Sequence, residues 1–254
     1  MKVGLFLDVD KTLTKNFIQQ EYAKLLGCEN DYRYIESEFQ NGKISSLEFG
    51  ERIIDIFKAS GFTSSFARTH FDDIELHNWT DDLLKMDVDI FLISSGPSYY
   101  IDDLAKKYGI PKDRVCRSEY KFDRKTDMIQ ACQAINVQQK ANFVKERVSN
   151  YDISIGIGDH PEFDGPFISL CTISILTCSR DGYLYTPSFS TSMSLIQKLL
   201  SHKIESSEAI EIRSKTVGDI FKNLKYLTVG SITFLFAVVV GIFCIGMWVQ
   251  RVFF

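Results

Sequence analysis

Two aspartates, two residues apart, follow a short apolar run near the start of the chain. The run Val3–Leu7 predicts a buried strand, and Asp8 and Asp10 come directly after it. In an α/β sheet, ligands bind at the carboxyl ends of the strands. Strand alternation gives the two carboxylates the same initial direction, and two buried like charges this close need a cation or a proton between them. A divalent metal together with a phosphate would explain the pair.

Two further apolar runs end in residues that suit the same chemistry. Ile90–Ile93 predicts a second buried strand, followed by two hydroxyls and a glycine in Ser94-Ser95-Gly96. Ile153–Gly158 predicts a third strand, followed by an acidic loop that begins at Asp159. Because parallel strands end at the same edge of a sheet, these segments are expected to meet there.

The three segments resemble motifs of the haloacid dehalogenase (HAD) superfamily. Asp8-Val9-Asp10-Lys11-Thr12 resembles motif I, with the second acid that is the phosphatase pattern within that superfamily. The resemblance implies that Asp8 attacks phosphorus and that Asp10 works as general acid and then general base. It also implies that the Ser94 hydroxyl of motif II holds the phosphoryl oxygens. Ser95 and Thr12 are further phosphate-binding candidates, and Thr12 either orders the loop after the nucleophile or binds the phosphate.

The acidic loop resembles motif IV of the same superfamily, Gly-Asp followed by a second acid. The resemblance implies a metal site formed by Asp8, the backbone carbonyl of Asp10, Asp159 and Asp164. An all-oxygen site of this kind suits Mg²⁺, which is the cofactor that we expect. Glu162 is a possible substitute for Asp164.

Motif III requires a lysine shortly before motif IV. Lys140 is the best match, at the start of a helix predicted over Ala141–Val148. Lys145 and Lys125 are the alternatives. The resemblance gives this lysine the role of neutralising the nucleophile and the phosphate.

The resemblance predicts an α/β fold: a Rossmann-like parallel sheet with a small helical cap inserted after the first strand. Residues 1–14 and 86–202 would form the catalytic core, and residues 15–85, with helical periodicity, the cap. This insertion resembles the helical cap of the C1 type that phosphoserine phosphatases of the superfamily have. Such a cap closes over the active site and selects the substrate.

Two cap residues argue against phosphoserine itself as the substrate. Phosphoserine phosphatases carry a Glu shortly after motif I that reads the substrate amine, and this chain has Phe17 there. Arg52 lies near the place of a carboxylate-reading arginine, but we expect it to form a surface ion pair with a neighbour such as Glu48.

Composition narrows the class of protein and its compartment. The net charge is −4, without the basic bias of a nucleic-acid-binding protein, so nucleic acid is not expected as a partner. The six cysteines have no metal-binding spacing and are expected to be reduced thiols.

A long apolar segment near the C-terminus predicts membrane attachment. Leu227–Val249 has 23 residues without a charge, enough to cross a bilayer core of ~30 Å as one helix. Residues 203–226 would be a linker, and residues 250–254 a short tail beyond the span. Ala237 and Gly241 form a small-xxx-small pair, the basis for predicting a homodimer. The basic residues lie mostly before the span, which predicts a catalytic domain in the cytoplasm: Arg213, Lys215, Lys222 and Lys225, against Arg251 beyond it.

These features predict a membrane-anchored, Mg²⁺-dependent phosphomonoester hydrolase with an aspartyl-phosphate intermediate. The substrate would be a lipid phosphate, because tethering raises the effective concentration at a membrane. One alternative is a phosphatase of a soluble small metabolite, which the anchor merely localises. The other is a weakly active HAD-like module whose role is interaction within a membrane complex.

Overall fold

The computed structural model describes residues 2–177 and the two-residue strand Leu184–Tyr185. Its centre is a seven-stranded sheet of order β4-β3-β2-β1-β5-β6-β7, parallel throughout except for the antiparallel pair β3–β4. The strands are β1 Val3–Leu7, β2 Asp89–Pro97, β3 Val115–Phe122, β4 Ile129–Gln133, β5 Ile153–Gly158, β6 Ile173–Leu176 and β7 Leu184–Tyr185.

Strand β1 occupies the middle of the sheet, as its unbroken burial requires. All five of its residues are buried, and Leu5 pairs with Ile90 of β2 on one side and with Ile155 of β5 on the other. A strand that is covered on both faces needs apolar side chains on both, so apolar and polar residues do not alternate along it, and this explains the continuous apolar run.

Helices cover both faces of the sheet. On one face, α7 (Val137–Val148) and α8 (Gly165–Ile168) pack over a cluster in which Phe6 stacks on Phe91 at 4.5 Å between ring centroids. On the other face, α6 (Ser98–Lys107) shares a larger core with the helices inserted between β1 and β2.

The insertion between β1 and β2 is helical, as the sequence predicted. It contains five α-helices and a single 3₁₀ turn, Phe71–Asp73. Its buried aromatic residues join the core beneath it, so the insertion packs as a lid on one end of the sheet. The helices are α1 Ile18–Leu25, α2 Glu29–Gln40, α3 Ser46–Ala59, α4 Ser64–Thr69 and α5 Thr80–Leu84. The domain limits predicted from the sequence, residues 15–85 for the cap and residues 1–14 and 86–202 for the core, stay predictions.

The local structure differs from the prediction at several places. Helix α7 begins at Val137, earlier than predicted, because the Asn136 side chain accepts a hydrogen bond from the Gln139 N–H in a capping box. The apolar segment Ile168–Leu176 has the composition of a strand, but only Ile173–Leu176 is extended, because Ile168 ends α8. The antiparallel hairpin β3–β4, on which α3 packs, was not predicted.

The predicted linker, transmembrane helix and tail over residues 203–254 lie outside the described residues. Among the helices that the structure describes, none combines the length and apolar character that crossing a bilayer requires.

Candidate active site

The three predicted motifs meet at the carboxyl-terminal edge of the central strands. Strands β2, β1 and β5 are adjacent and parallel, so Asp8 and Asp159, which directly follow β1 and β5, lie at the same edge of the sheet as Ser94 near the carboxyl end of β2. The Asp8 N–H donates to the carbonyl of Ile157 at 2.9 Å, which continues the ladder between β1 and β5 and fixes the position of the carboxylate. Asp8 is only 4% exposed.

A buried lysine neutralises this carboxylate. The Lys140 ammonium, 2% exposed, donates to Asp8 at 3.0 Å and to Asp164 at 2.6 Å. Burial and the nearby Asp164 raise the pKa of Asp8 well above its usual range, and Lys140 opposes this effect. The other two candidate lysines, Lys125 and Lys145, are exposed, so the structure places Lys140 alone of the three at the site.

Asp10 lies on the first turn after β1 and is held by two hydrogen bonds. One carboxylate oxygen accepts the Ile18 N–H at 2.7 Å, where the helical insertion begins, and the other accepts the Ser94 hydroxyl at 3.3 Å. Burial raises the pKa of Asp10 to about 6, although both hydrogen bonds lower it. A carboxyl group with this pKa can give and take a proton near neutral pH.

The close approach of β2 to Asp10 requires a glycine. A Cβ on Gly96 would overlap the Asp10 carboxylate and would lie 3.0 Å from the Ser94 hydroxyl. The Gly96 N–H donates to that hydroxyl at 2.9 Å and thereby directs it. The Ser-Ser-Gly of motif II therefore places one hydroxyl and a bare backbone beside the second aspartate.

The acidic loop after β5 is folded around Asp164. One carboxylate oxygen of Asp164 accepts the N–H groups of Asp159 and His160 at 3.1 and 3.0 Å, and the other binds Lys140. Gly158 allows this arrangement, because a Cβ there would lie 2.5 Å from that of Asp164. Asp164 is buried whereas Glu162 is exposed, so the structure places Asp164 at the site.

The carboxylates form a group that suits a divalent cation. Oxygens of Asp8, Asp159 and Asp164 lie within 4.8 Å of one another. Burial and Asp164 raise the pKa of Asp159 to about 7, against the lowering effect of Lys11, whose ammonium lies 3.6 Å from it. The two lysines leave the acidic group with excess negative charge, and an all-oxygen donor set fits Mg²⁺.

The two remaining predicted phosphate-binding residues have different surroundings. The Thr12 hydroxyl is buried and has no hydrogen-bond partner among the described residues, but Thr12 is not one of the residues that line the cavity. Ser95 is exposed at the cavity wall, and its carbonyl accepts the Ser118 hydroxyl at 2.7 Å. Of the two, only Ser95 lines the cavity, and the phosphate-binding role of Thr12 stays a prediction.

Above the carboxylates is a cavity of about 270 Å³ between the insertion and the sheet edge. Most of its upper wall is aromatic or aliphatic, and the sequence analysis had singled out only Phe17 within it. The residues that were missed include Gln19, Tyr32, Glu36, Phe39, Phe49, Tyr120, Ile135 and Phe163. Tyr32, Glu36 and Phe39 follow the helical spacing i, i+4, i+7, the one signal that could have grouped them on a face.

Arg52 does not line this cavity. Its guanidinium binds Glu38 at 2.5 Å and Glu48 at 2.8 Å. The ion pair predicted with Glu48 is therefore present, and Arg52 is not free to read a substrate carboxylate.

Comparison with solved structures identifies the fold. The chain superposes on a HAD-family hydrolase from Salmonella enterica serovar Typhi with a TM-score of 0.61 and 16% identity, covering 70% of this chain and 62% of that one. A phospho-aspartyl intermediate analogue of phosphoserine phosphatase gives 0.59 and 13%, covering 79% and 98%. A phosphoserine phosphohydrolase-like protein from Francisella tularensis gives 0.57 and 18%, covering 77% and 100%.

Comparison of the sequence with protein-family models and with curated proteins finds no match. The chain spans less than two thirds of the Salmonella hydrolase, and nearly all of the other two structures. The likeness to these structures confirms the predicted α/β fold, which is the fold of HAD-type phosphatases.

Proposed function

We propose that this protein is a Mg²⁺-dependent phosphomonoester hydrolase that acts through an aspartyl-phosphate on Asp8. The observation that carries the proposal is the Asp8 carboxylate at the end of β1, ion-paired with the buried Lys140 beside Asp10 and Ser94. A nucleophile, a proton donor and donors for phosphoryl oxygens are the parts that phosphoryl transfer requires.

In the first half-reaction, a carboxylate oxygen of Asp8 forms a bond to the substrate phosphorus. The bond between phosphorus and the leaving oxygen breaks, and that oxygen takes the proton of Asp10. The pKa of Asp10, raised by burial to about 6, keeps a protonated fraction available near neutral pH.

In the second half-reaction, Asp10 acts as the base. It takes a proton from water, whose oxygen forms a bond to phosphorus while the bond between phosphorus and Asp8 breaks. The products are inorganic phosphate, the free Asp8 carboxylate and protonated Asp10, so the enzyme returns to its starting state. One residue serves as both acid and base because its environment places its pKa near the working pH.

The charges around the site support the nucleophile and the phosphate. Lys140 favours the ionised form of Asp8, against the effects of burial and Asp164, and places a fixed positive charge where negative charge develops. Asp8, Asp159 and Asp164 would hold Mg²⁺, which supplies further positive charge to the phosphoryl oxygens.

The test is phosphate release by the full chain, purified in detergent, with and without Mg²⁺. The activity of the Asp8→Asn variant should be lost, because the variant keeps the size of the side chain but removes the nucleophile. Asp55→Asn, an exposed residue on α3, is the matched control and should keep full activity. Release that is unaffected by Asp8→Asn would refute the mechanism, and no release from any phosphoester would favour the interaction module instead.

We also propose that the segment Leu227–Val249 holds the catalytic domain at a membrane, on the cytoplasmic side. What supports this is its uncharged length and the basic residues before it. Membrane fractions resistant to carbonate extraction should contain the full chain and should lose it when Val238 and Val239 are both replaced by Arg. Whether the substrate is itself a lipid phosphate or a soluble metabolite is decided by comparing a long-chain phospholipid with its water-soluble headgroup phosphate.

A further inference from the structure

One face of α2 forms the roof of the cavity above the carboxylates. Tyr32, Glu36 and Phe39 lie on that face and line the cavity, with Phe49 of α3 beside them. The rings form a connected wall, with centroids of Phe39 and Phe49 5.0 Å apart and those of Tyr32 and Phe49 6.3 Å apart. Phe163, from the loop after β5, closes the wall by stacking on Phe39 at 5.9 Å.

Glu36 is the single charged residue in this upper wall. Of the described residues that line the cavity, every other acid belongs to the carboxylate group at the base. Glu36 is half-buried and has no hydrogen bond or ion pair within residues 2–177. Burial raises its pKa, against the lowering effect of the more distant Lys11 and Arg33.

An unpaired carboxylate among aromatic rings is costly, because partial burial removes water without supplying a partner. The other acids of α2 that approach a cation are paired away from the cavity, Glu29 with Arg33 and Glu38 with Arg52. Glu36 therefore lacks the structural role that its neighbours have, and its position is explained if a ligand supplies the missing positive charge.

Among the described lining residues, the cavity also lacks a free Lys or Arg that could pair with a second anionic group. Lys140 is the one Lys or Arg among the described lining residues, and it is already bound to Asp8 and Asp164. Arg52 is held by Glu38 and Glu48 outside the cavity. A carboxylate or second phosphate on the leaving group would find no free Lys or Arg in this lining, only neutral donors such as Gln40 and Asn136, and it would be repelled by Glu36.

We infer that the cavity selects phosphate monoesters of amino alcohols, with the cationic nitrogen against Glu36 and the aromatic wall and with no carboxylate on the leaving group. Aromatic faces attract ammonium groups, and quaternary ammonium ions are bound by cages of such rings. This inference rests on the proposed phosphatase function and narrows its substrate. A zwitterionic leaving group such as that of phosphoserine satisfies Glu36 but leaves its carboxylate without a partner.

The test compares two substrates that differ only in charge. Phosphocholine and its neutral carbon isostere, 3,3-dimethylbutyl phosphate, have the same shape, so the ratio of their kcat/KM values measures recognition of the cation. We expect the full chain to favour phosphocholine by on the order of 10- to 30-fold, the effect of a cation held over aromatic faces in a partly desolvated site. Glu36→Gln should bring the ratio close to one.

Glu51→Gln is the matched control, because it removes the same charge from an exposed position on α3. It should leave the ratio as in the unmodified chain. Phosphoserine should be a poorer substrate than phosphoethanolamine, which lacks only the carboxylate. A ratio near one in the unmodified chain, a ratio unaffected by Glu36→Gln, or equal turnover of phosphoserine and phosphoethanolamine would overturn the inference.

Two further experiments distinguish a lipid substrate from a soluble one, and a failure of the phosphatase proposal from a failure of the inferred cation selectivity. A sphingoid base 1-phosphate in micelles carries the same amine on a lipid, and turnover above that of phosphoethanolamine would assign the lipid source. If no compound is hydrolysed, the phosphatase proposal fails. The inference is then decided by calorimetric binding of phosphocholine and of its isostere to the Asp8→Asn variant, with and without Glu36→Gln, since the same preference must appear in affinity.

Discussion

Replacing Lys140 by Met tests whether the buried ammonium holds the site together. The methionine keeps the length of the side chain but leaves Asp8 and Asp164, 6% and 2% exposed in their side chains, without their common partner. Removing one partner of a buried ion pair costs about 3–5 kcal/mol. Because Lys140 contacts both carboxylates, we expect a loss in the upper half of that range when Mg²⁺ is absent.

The free energy of unfolding can be measured by urea denaturation in EDTA, followed by tryptophan fluorescence. The chain has two tryptophans, so a Trp248→Phe background leaves Trp79, which packs against the core, as the reporter. Lys145→Met, on the exposed side of the same helix, is the control and should change stability by less than about 0.5 kcal/mol.

The interaction free energy between the Lys140→Met and Asp8→Asn substitutions has a predicted sign, which makes this prediction specific. Adding Asp8→Asn to Lys140→Met removes one of the unpaired carboxylates, so the double variant should be more stable than Lys140→Met alone. Phosphatase activity of Lys140→Met should fall by about 10²–10³-fold, as for the loss of one preorganised donor. A loss of stability below about 1 kcal/mol, or additive effects of the two substitutions, would refute the reasoning.

Three further variants or conditions test the other parts of the site. Asp10→Asn should lower kcat for alkyl phosphates by about 10²–10⁴-fold, because the leaving oxygen then lacks its proton donor. The rate of enzyme phosphorylation by p-nitrophenyl phosphate should fall less, because its leaving group departs unprotonated, and stopped-flow release of nitrophenol measures that rate. Gly96→Ala should displace the Asp10 carboxylate and slow alkyl phosphates in the same way, with an unchanged circular dichroism spectrum. Mg²⁺ at 100 times its Kd should stabilise the fold by about 2.7 kcal/mol. Thermal melting should detect this gain in the unmodified chain but not in Asp159→Asn. A melting temperature of the unmodified chain that does not depend on Mg²⁺ would contradict the metal site.

The central strands and the catalytic edge of the sheet were predictable because their signals are local. Val3–Leu7 and Ile153–Gly158 are apolar runs of strand length, and each ends at an aspartate. The hairpin β3–β4 was missed because its strands carry several charged residues and its pairing depends on the distant helix α3. A continuous apolar run predicts a buried central strand from local sequence alone, whereas the pairing of an edge strand depends on contacts with residues distant in the sequence.

The site shows the same division between local and long-range information. Asp8, Asp10 and Asp159 follow strands, and Ser94 lies near the carboxyl end of β2, and all four were found from these positions. The sequence ranked Lys140 above Lys145 and Lys125 but left both as alternatives, because the burial of Lys140 arises from packing of α7 against the sheet. The helical spacing of Glu36 with Tyr32 and Phe39 was the one signal for it, and only the tertiary structure shows that this side of α2 faces the cavity.

Trapping the covalent intermediate tests the proposed mechanism most directly. In Asp10→Asn, p-nitrophenyl phosphate can still phosphorylate the enzyme, while the loss of the base slows hydrolysis of the intermediate. Acid quenching followed by peptide mass spectrometry should then find one phosphoryl group on the peptide containing Asp8, matched by a stoichiometric burst of nitrophenol and removed by hydroxylamine. A burst with no adduct on that peptide, or an adduct on another residue such as His160, would contradict Asp8 as the nucleophile.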